Sequence, residues 1–262
     1  MGMRLFSTKK RPVHMGPYPT ERLKRGVMPD LTSVPPMHAL SFRRPEAPES
    51  IVNAMCEYQA MLDAIRDGMI NKAVSEIPVD PKERTDHLKA FGFFSDASMV
   101  GVCRLQDTDL LSKPFNNPDI AHLAEALRTR QTKTLAAGID GIMADLKESM
   151  EAPPTTINGH THALIFLYEN PRDICSDEPG TDWLKDALSH RACLRANETA
   201  AVIANYIRLL GYDAKSHSGS ASDVDLNQLA VTAGLVWCIK GQLIAPYIGS
   251  SFGLAAVTCT LD

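Results

Sequence analysis

The chain has 262 residues, 44% of them hydrophobic and 22% charged, ordinary globular values that exclude a wholly disordered polymer. Its 27 Lys and Arg against 31 Asp and Glu leave a formal charge of −4, no basis for expecting a nucleic-acid partner. The longest unbroken apolar run, Ala163 to Tyr168, falls far short of the roughly 18 residues of a membrane span. No membrane partner is expected, and the cytoplasm is the default compartment.

Residues 1–48 are rich in proline and basic side chains and read as an irregular amino-terminal arm. No apolar h-region follows Lys9-Lys10-Arg11, and Arg43-Arg44 runs into Pro45, so neither is an export signal. Residues 49–262 read as one domain. Its first helix starts at Ser50, with Ile51, Ala54, Met55, Tyr58, Met61, Leu62, Ile65 and Met69 as the expected apolar stripe. Pro78 and Pro81 bracket the exit. Ser98 to Leu105 is short and β-branched, a strand. Asn117-Pro118-Asp119 combines a capping oxygen, a first-turn proline and an acid on the positive end of the helix dipole. That helix is expected to reach Leu146 and to end before Pro153-Pro154.

Ala163 to Tyr168 is apolar on both faces, as a central strand covered on two sides must be. Helix follows from Thr181, then from Arg191 to Leu210, where Gly211 supplies a left-handed stop. A strand over Gly211 to Lys215, a short helix started by Asp223 or Asp225, and a strand over Gly253 to Leu261 complete the chain. This order predicts an α/β fold, a mixed α/β sandwich with helices on both faces of the sheet.

Six cysteines stand at least 18 positions apart with no C-x-x-C, so zinc ribbons and clustered iron–sulfur loops lack their ligand spacing. Buried free thiols are the expectation. His160-Thr161-His162 precedes the central strand, but two histidines without a third ligand read as hydrogen-bonding groups, and no metal site is assigned. The Ser/Gly loop at His217, Ser218 and Gly219 has two open readings. It presents backbone N–H groups to a phosphate or cofactor tail, or it is a surface turn. These three residues are carried as cofactor-binding candidates; catalytic residues are unassigned.

Three segments in sequence then narrow the field: TAAVIANYIRLLGYDA (199–214), LNQLAVTAGL (226–235) and GQLIAPYIGSSFGLAAVT (241–258). Together they resemble the reductive dehalogenase family, whose corrinoid-binding domain carries a similar helix ending in I-R-x-L-G-Y, then A-G-L-G-E, then a glycine-bearing loop entering a strand. HTHALIFL (160–167) and HMGPYP (14–19) look like the cytosolic, non-respiratory branch. The resemblance implies a nitroreductase-like α/β core holding cobalamin, followed by a ferredoxin-type module with two 4Fe–4S clusters, and a tyrosine proton donor tuned by a neighbouring cation.

This chain departs from that pattern. It has no C-x-x-C-x-x-C, and the expected tyrosine falls near Ala192-Cys193-Leu194. The arginine-bearing loop reads Gly249-Ser250-Ser251-Phe252-Gly253, and Trp237 stands where the family has an acid. The expectation is therefore the branch's first, degenerate corrinoid-domain half, inactive alone and packing on a catalytic cobalamin/iron–sulfur partner, with apolar surface left for that contact. An alternative is a stand-alone cobalamin-binding oxidoreductase fed by a separate ferredoxin. A flavin-binding relative ranks last, because no basic phosphate-gripping cluster is legible.

Overall fold

A computed structural model describes residues 29–129, 156–171, 177–184, 187–246 and 248–262. Its centre is a four-stranded sheet made of β1 (Met99–Arg104), β3 (His162–Glu169), β8 (Phe252–Cys259) and β4 (Ala214–His217), in the order β1-β3-β8-β4 with every pair antiparallel. Residues 163–168 of β3 are all buried, as expected of an inner strand apolar on both sides.

Strand alternation divides the core in two. Val100, Leu164, Phe166, Tyr168, Ala255 and Val257 face one layer, packed under α2 (Pro81–Phe94) and α5 (Ala187–Leu209). Met99, Ala163, Ile165, Leu167 and Ala256 face the other, packed under α6 (Leu226–Thr232). The sandwich of the sequence reading is thus present, with helices on both faces.

Local chemistry explains the remaining elements. Ser50 caps α1 (Ile51–Ala64), its hydroxyl accepting from the Val52 amide at 3.4 Å. Asp80 does the same for α2, with Pro81 in the first turn, so Pro81 opens a helix rather than only closing a loop. The Asp119 amide donates to Asn117 Oδ1 at 2.9 Å and starts α3 (Asp119–Thr129), as the sequence implied; the expected continuation to Leu146 lies outside the described residues. A single turn, α4 (Thr181–Leu184), precedes α5. Gly211, at φ +93°, terminates α5 in the left-handed region. Its Tyr212 neighbour donates back to the Ile207 carbonyl at 3.3 Å.

Two small ribbons flank the sheet. β2 (Leu110–Phe115) pairs with β5 (Ser222–Val224), and β6 (Trp237–Ile239) pairs with β7 (Gln242–Ile244). Lys240 (φ 52°) and Gly241 (φ 76°) form the turn of the second ribbon, the positive-φ pair a two-residue hairpin requires.

One expectation fails on α1. The predicted stripe faces outward: Tyr58 is 66% and Met69 96% exposed, and Ile51, Met61 and Ile65 are exposed beside them. The buried side is Val52, Cys56, Gln59, Ala60 and Asp63. Polar contacts, not apolar ones, anchor the end of this helix. The chain leaves it at Ala64, short of Met69.

Candidate functional site

The buried polar side of α1 leads to a carboxylate hub. Asp63 accepts from five side chains. Asn197 Nδ2 and Ser218 Oγ reach Oδ1 at 2.8 Å each; Asn117 Nδ2 and Ser220 Oγ reach Oδ2 at 2.9 and 2.6 Å. Gln59 Nε2 bridges both oxygens at 3.2 and 3.3 Å. Burial pushes the carboxyl upward, while the bonds from Ser220, Asn117, Ser218 and Gln59 pull it back. One carboxylate thereby ties α1 to α5, to the start of α3 and to the loop after β4.

A second polar cluster sits beside it. Arg66 and Asp223 form a close ion pair, and Lys215 Nζ lies 3.1 Å from the same Asp223 carboxylate and 3.7 Å from Asp67. Burial first, then the charge of Arg66, bring Lys215 down to about 8. Arg208 donates to the carbonyls of Arg66 and Ala214 at 3.2 and 2.8 Å. Lys215 leads into His217, whose Nε2 lies 2.8 Å from Thr258 Oγ1; His160 Nδ1 approaches the same hydroxyl at 2.7 Å.

The three sequence-nominated residues lie inside these clusters. His217 is wholly buried, its Nδ1 accepting from the Asp223 amide. Ser218 is buried and donates to Asp63. Gly219 lies under the arm: Leu40 N–H donates to its carbonyl at 2.8 Å, and a Cβ built on it would meet Leu40 Cδ1 at 2.6 Å. The loop is therefore no surface turn. Gly219 and Ser220 are only half-buried, under a Leu40 side chain that is itself exposed, and no chemical step is derived through a cofactor there.

Residues 30–44 act as a strap over this region. The Met37 amide donates to Asp225 Oδ2 at 3.2 Å, Asn227 Nδ2 donates to the Pro35 carbonyl at 3.1 Å, and the Arg44 amide donates to Asn53 Oδ1 at 2.8 Å. Asp225 caps α6 through the Asn227 and Gln228 amides at 2.9 and 3.1 Å. Asp223, the other candidate cap, is committed to Arg66 and Lys215 instead.

His160 and His162 do not share a face. His160 precedes the strand and turns inward to Thr258, whereas His162 is half-buried and lies 3.6 Å from Asp262. Among the described residues no group of three or more His, Cys, Asp or Glu is placed to hold a metal ion. Cys56, Cys103, Cys193, Cys238 and Cys259 are free thiols, and burial pushes Cys103 and Cys259 up to about 12. Cys175 lies outside the described residues.

Ala192-Cys193-Leu194, where the resemblance would put a tyrosine, belongs to the part of α5 pressed on β8: a Cβ at Gly253 would come within 2.5 Å of the Ala192 carbonyl carbon and the Cys193 nitrogen. The nearby Tyr168 hydroxyl is committed to the Ser95 carbonyl and to Thr199 Oγ1, and burial raises it to about 12. Arg195 stacks over its ring at 5.4 Å and pairs with Asp96 at 2.8 Å.

Asp63, Arg66, Lys215 and Thr258 were not singled out from sequence. The usable signal was Val52, Cys56, Gln59 and Asp63 at four-, three- and four-residue steps, a helix face that mixes small apolar with hydrogen-bonding residues.

Neither a protein-family model nor a curated protein matches the chain. Solved structures do. The catabolic reductive dehalogenase NpRdhA matches at TM-score 0.67 and 29% identity, over 100% of this chain and 31% of that one. Its complex with 3-bromo-4-hydroxybenzoic acid matches at 0.68 and 29%, over 100% and 30%. A reductive dehalogenase structure described with a mechanism for B12-dependent dehalogenation also matches at 0.68 and 29%, over 99% and 30%. This chain thus spans about a third of the length of those enzymes, and its fold is reductive-dehalogenase-like.

Proposed function

We propose that the chain is a non-catalytic, reductive-dehalogenase-like domain of the cytosolic type, corresponding to the degenerate corrinoid-domain half, that packs on a catalytic cobalamin/iron–sulfur partner. The observation that carries this reading is the match over the whole chain to only about 30% of each enzyme. Two features support it. The His217–Ser218–Gly219 segment is filled from within by Asp63 and Leu40, and α1 turns an apolar stripe of Ile51, Tyr58, Met61 and Ile65 to the outside.

The rival is a stand-alone cobalamin protein served by a separate ferredoxin, which requires Leu40 to leave Gly219 and expose that segment. It draws on the B12 dependence of the matched enzyme. The deciding experiment supplies the purified chain with cobalamin, an artificial low-potential reductant and 3-bromo-4-hydroxybenzoic acid. The domain reading predicts bromide release no faster than with cobalamin and reductant alone. Protein-dependent turnover would reject it.

A further inference from the structure

We infer that the His160–Thr258–His217 chain is an acid-sensitive latch that holds residues 218–225, the loop after β4 together with β5 and the α6 cap, against the sheet. The geometry fixes the direction of every link. Thr258 Oγ1 is fully buried between His160 Nδ1 at 2.7 Å and His217 Nε2 at 2.8 Å. A hydroxyl has one proton, so it donates to one ring and accepts from the other. The Asp223 amide decides which, because it donates to His217 Nδ1 at 3.3 Å. His217 therefore carries its hydrogen on Nε2 and donates to Thr258. Thr258 donates onward to His160 Nδ1, which places the His160 hydrogen on Nε2, 3.3 Å from Asp213 Oδ2 in an oblique approach. Both rings are neutral in this arrangement.

A proton added to either ring breaks it. On His160, Nδ1 becomes a donor, Thr258 receives hydrogens from both rings, and its own proton is left without an acceptor in a buried place. On His217, Nδ1 becomes a donor aimed at the Asp223 amide. Among the described residues the carboxylate near that nitrogen, Asp223 Oδ2 at 3.6 Å, is already held by Arg66 and Lys215. Asp213, Asp67 and Lys215 face His160, and Arg66, Lys215 and His160 face His217. Burial leads the causes for both rings and keeps them below 6.5. Asp213 is 42% exposed by its side chain, so it is the wet end of the chain. Opening frees the Asp223 amide and the loop that carries Gly219, and with it the hold of Leu40.

Hydrogen exchange on the intact chain tests the latch. Between pH 7.5 and 5.0, after correction for intrinsic rates, peptides covering 158–163 and 216–225 should lose protection together by about tenfold, while a peptide covering 196–207 of α5 keeps its own. Asp213→Asn, which removes the carboxylate that favours His160 protonation, should move this transition to lower pH. Thr258→Val should leave the loop open at pH 7.5 with no further pH dependence. If that variant does not fold, histidine ring nitrogen shifts of the wild type decide: both His160 and His217 should be Nε2–H tautomers at pH 7.5. Loop protection that is constant to pH 5.0, or an Nδ1–H tautomer at either ring, would overturn the inference.

Discussion

Replacing Asp63 by asparagine removes one charge and exchanges one acceptor oxygen for an NH2 group, with almost no change of shape. If the amide nitrogen takes the Oδ1 position, Asn197 Nδ2 and Ser218 Oγ, both at 2.8 Å, face a donor. If it takes the Oδ2 position, Asn117 Nδ2 at 2.9 Å and Ser220 Oγ at 2.6 Å do. A serine hydroxyl can rotate to accept, whereas a side-chain amide accepts only by flipping, which for Asn117 breaks the bond its Oδ1 receives from the Asp119 amide. Each orientation therefore strands one buried amide donor or forces it to flip away from its other contacts, at about 1–3 kcal/mol, and weakens the surviving bonds from charge-assisted to neutral strength, at about 1 kcal/mol each. The sum is a loss of about 3–5 kcal/mol, of which the relief of no longer burying a charge offsets a part. Urea unfolding followed by far-UV circular dichroism measures it. Glu57→Gln, on the exposed side of the same helix, should stay within about 0.5 kcal/mol. An Asp63→Asn loss below about 1 kcal/mol would refute the hub.

Three further outcomes follow from the packing. Gly253→Ala drives a methyl into the α5 backbone at 2.5 Å, where no side chain can yield. The expected loss is about 3 kcal/mol, or about 6–12 °C in thermal midpoint; an unchanged midpoint would contradict the helix–sheet contact. Gly219→Ala meets only the Cδ1 end of the exposed Leu40 side chain, which a rotamer change relieves, so limited proteolysis within residues 36–48 should proceed within a few-fold of the wild-type rate, and a much faster cut would show that the Leu40 side chain alone seats the strap. Tyr168→Phe removes the hydroxyl bound to Ser95 and Thr199 and should cost about 1–2 kcal/mol of stability in the same urea assay; no loss would show that the hydroxyl is not held in the core.

Much of the frame was legible because it rests on local rules. Ala163 to Tyr168 announced an inner strand by being apolar at every position, Asn117 and Ser50 announced helix starts, and Gly211 a stop. The start of α2 was equally written in Asp80-Pro81 but was read only as the exit of the preceding helix. The outward stripe of α1 misled for a physical reason: periodicity scores apolarity, and here the side facing the core is held by Gln59 and Asp63, whose partners Asn117, Asn197, Ser218 and Ser220 come from distant positions. The Ser218–Gly219 loop was visible, yet its burial depends on Leu40, nearly 180 residues earlier. The β2–β5 pairing is likewise nonlocal, and Leu110 to Phe115 carries a lysine and a proline that dilute a strand pattern.

Corrinoid uptake by the chain as folded separates the two readings most directly. Incubation of the intact protein with cobalamin under reducing and non-reducing conditions, followed by gel filtration with visible absorbance recorded across the protein peak, measures this without requiring turnover. A colourless protein peak, with all cobalamin in the small-molecule fraction, is the predicted result. Stoichiometric corrinoid absorbance travelling with the protein would contradict it and assign the chain to the stand-alone cobalamin reading.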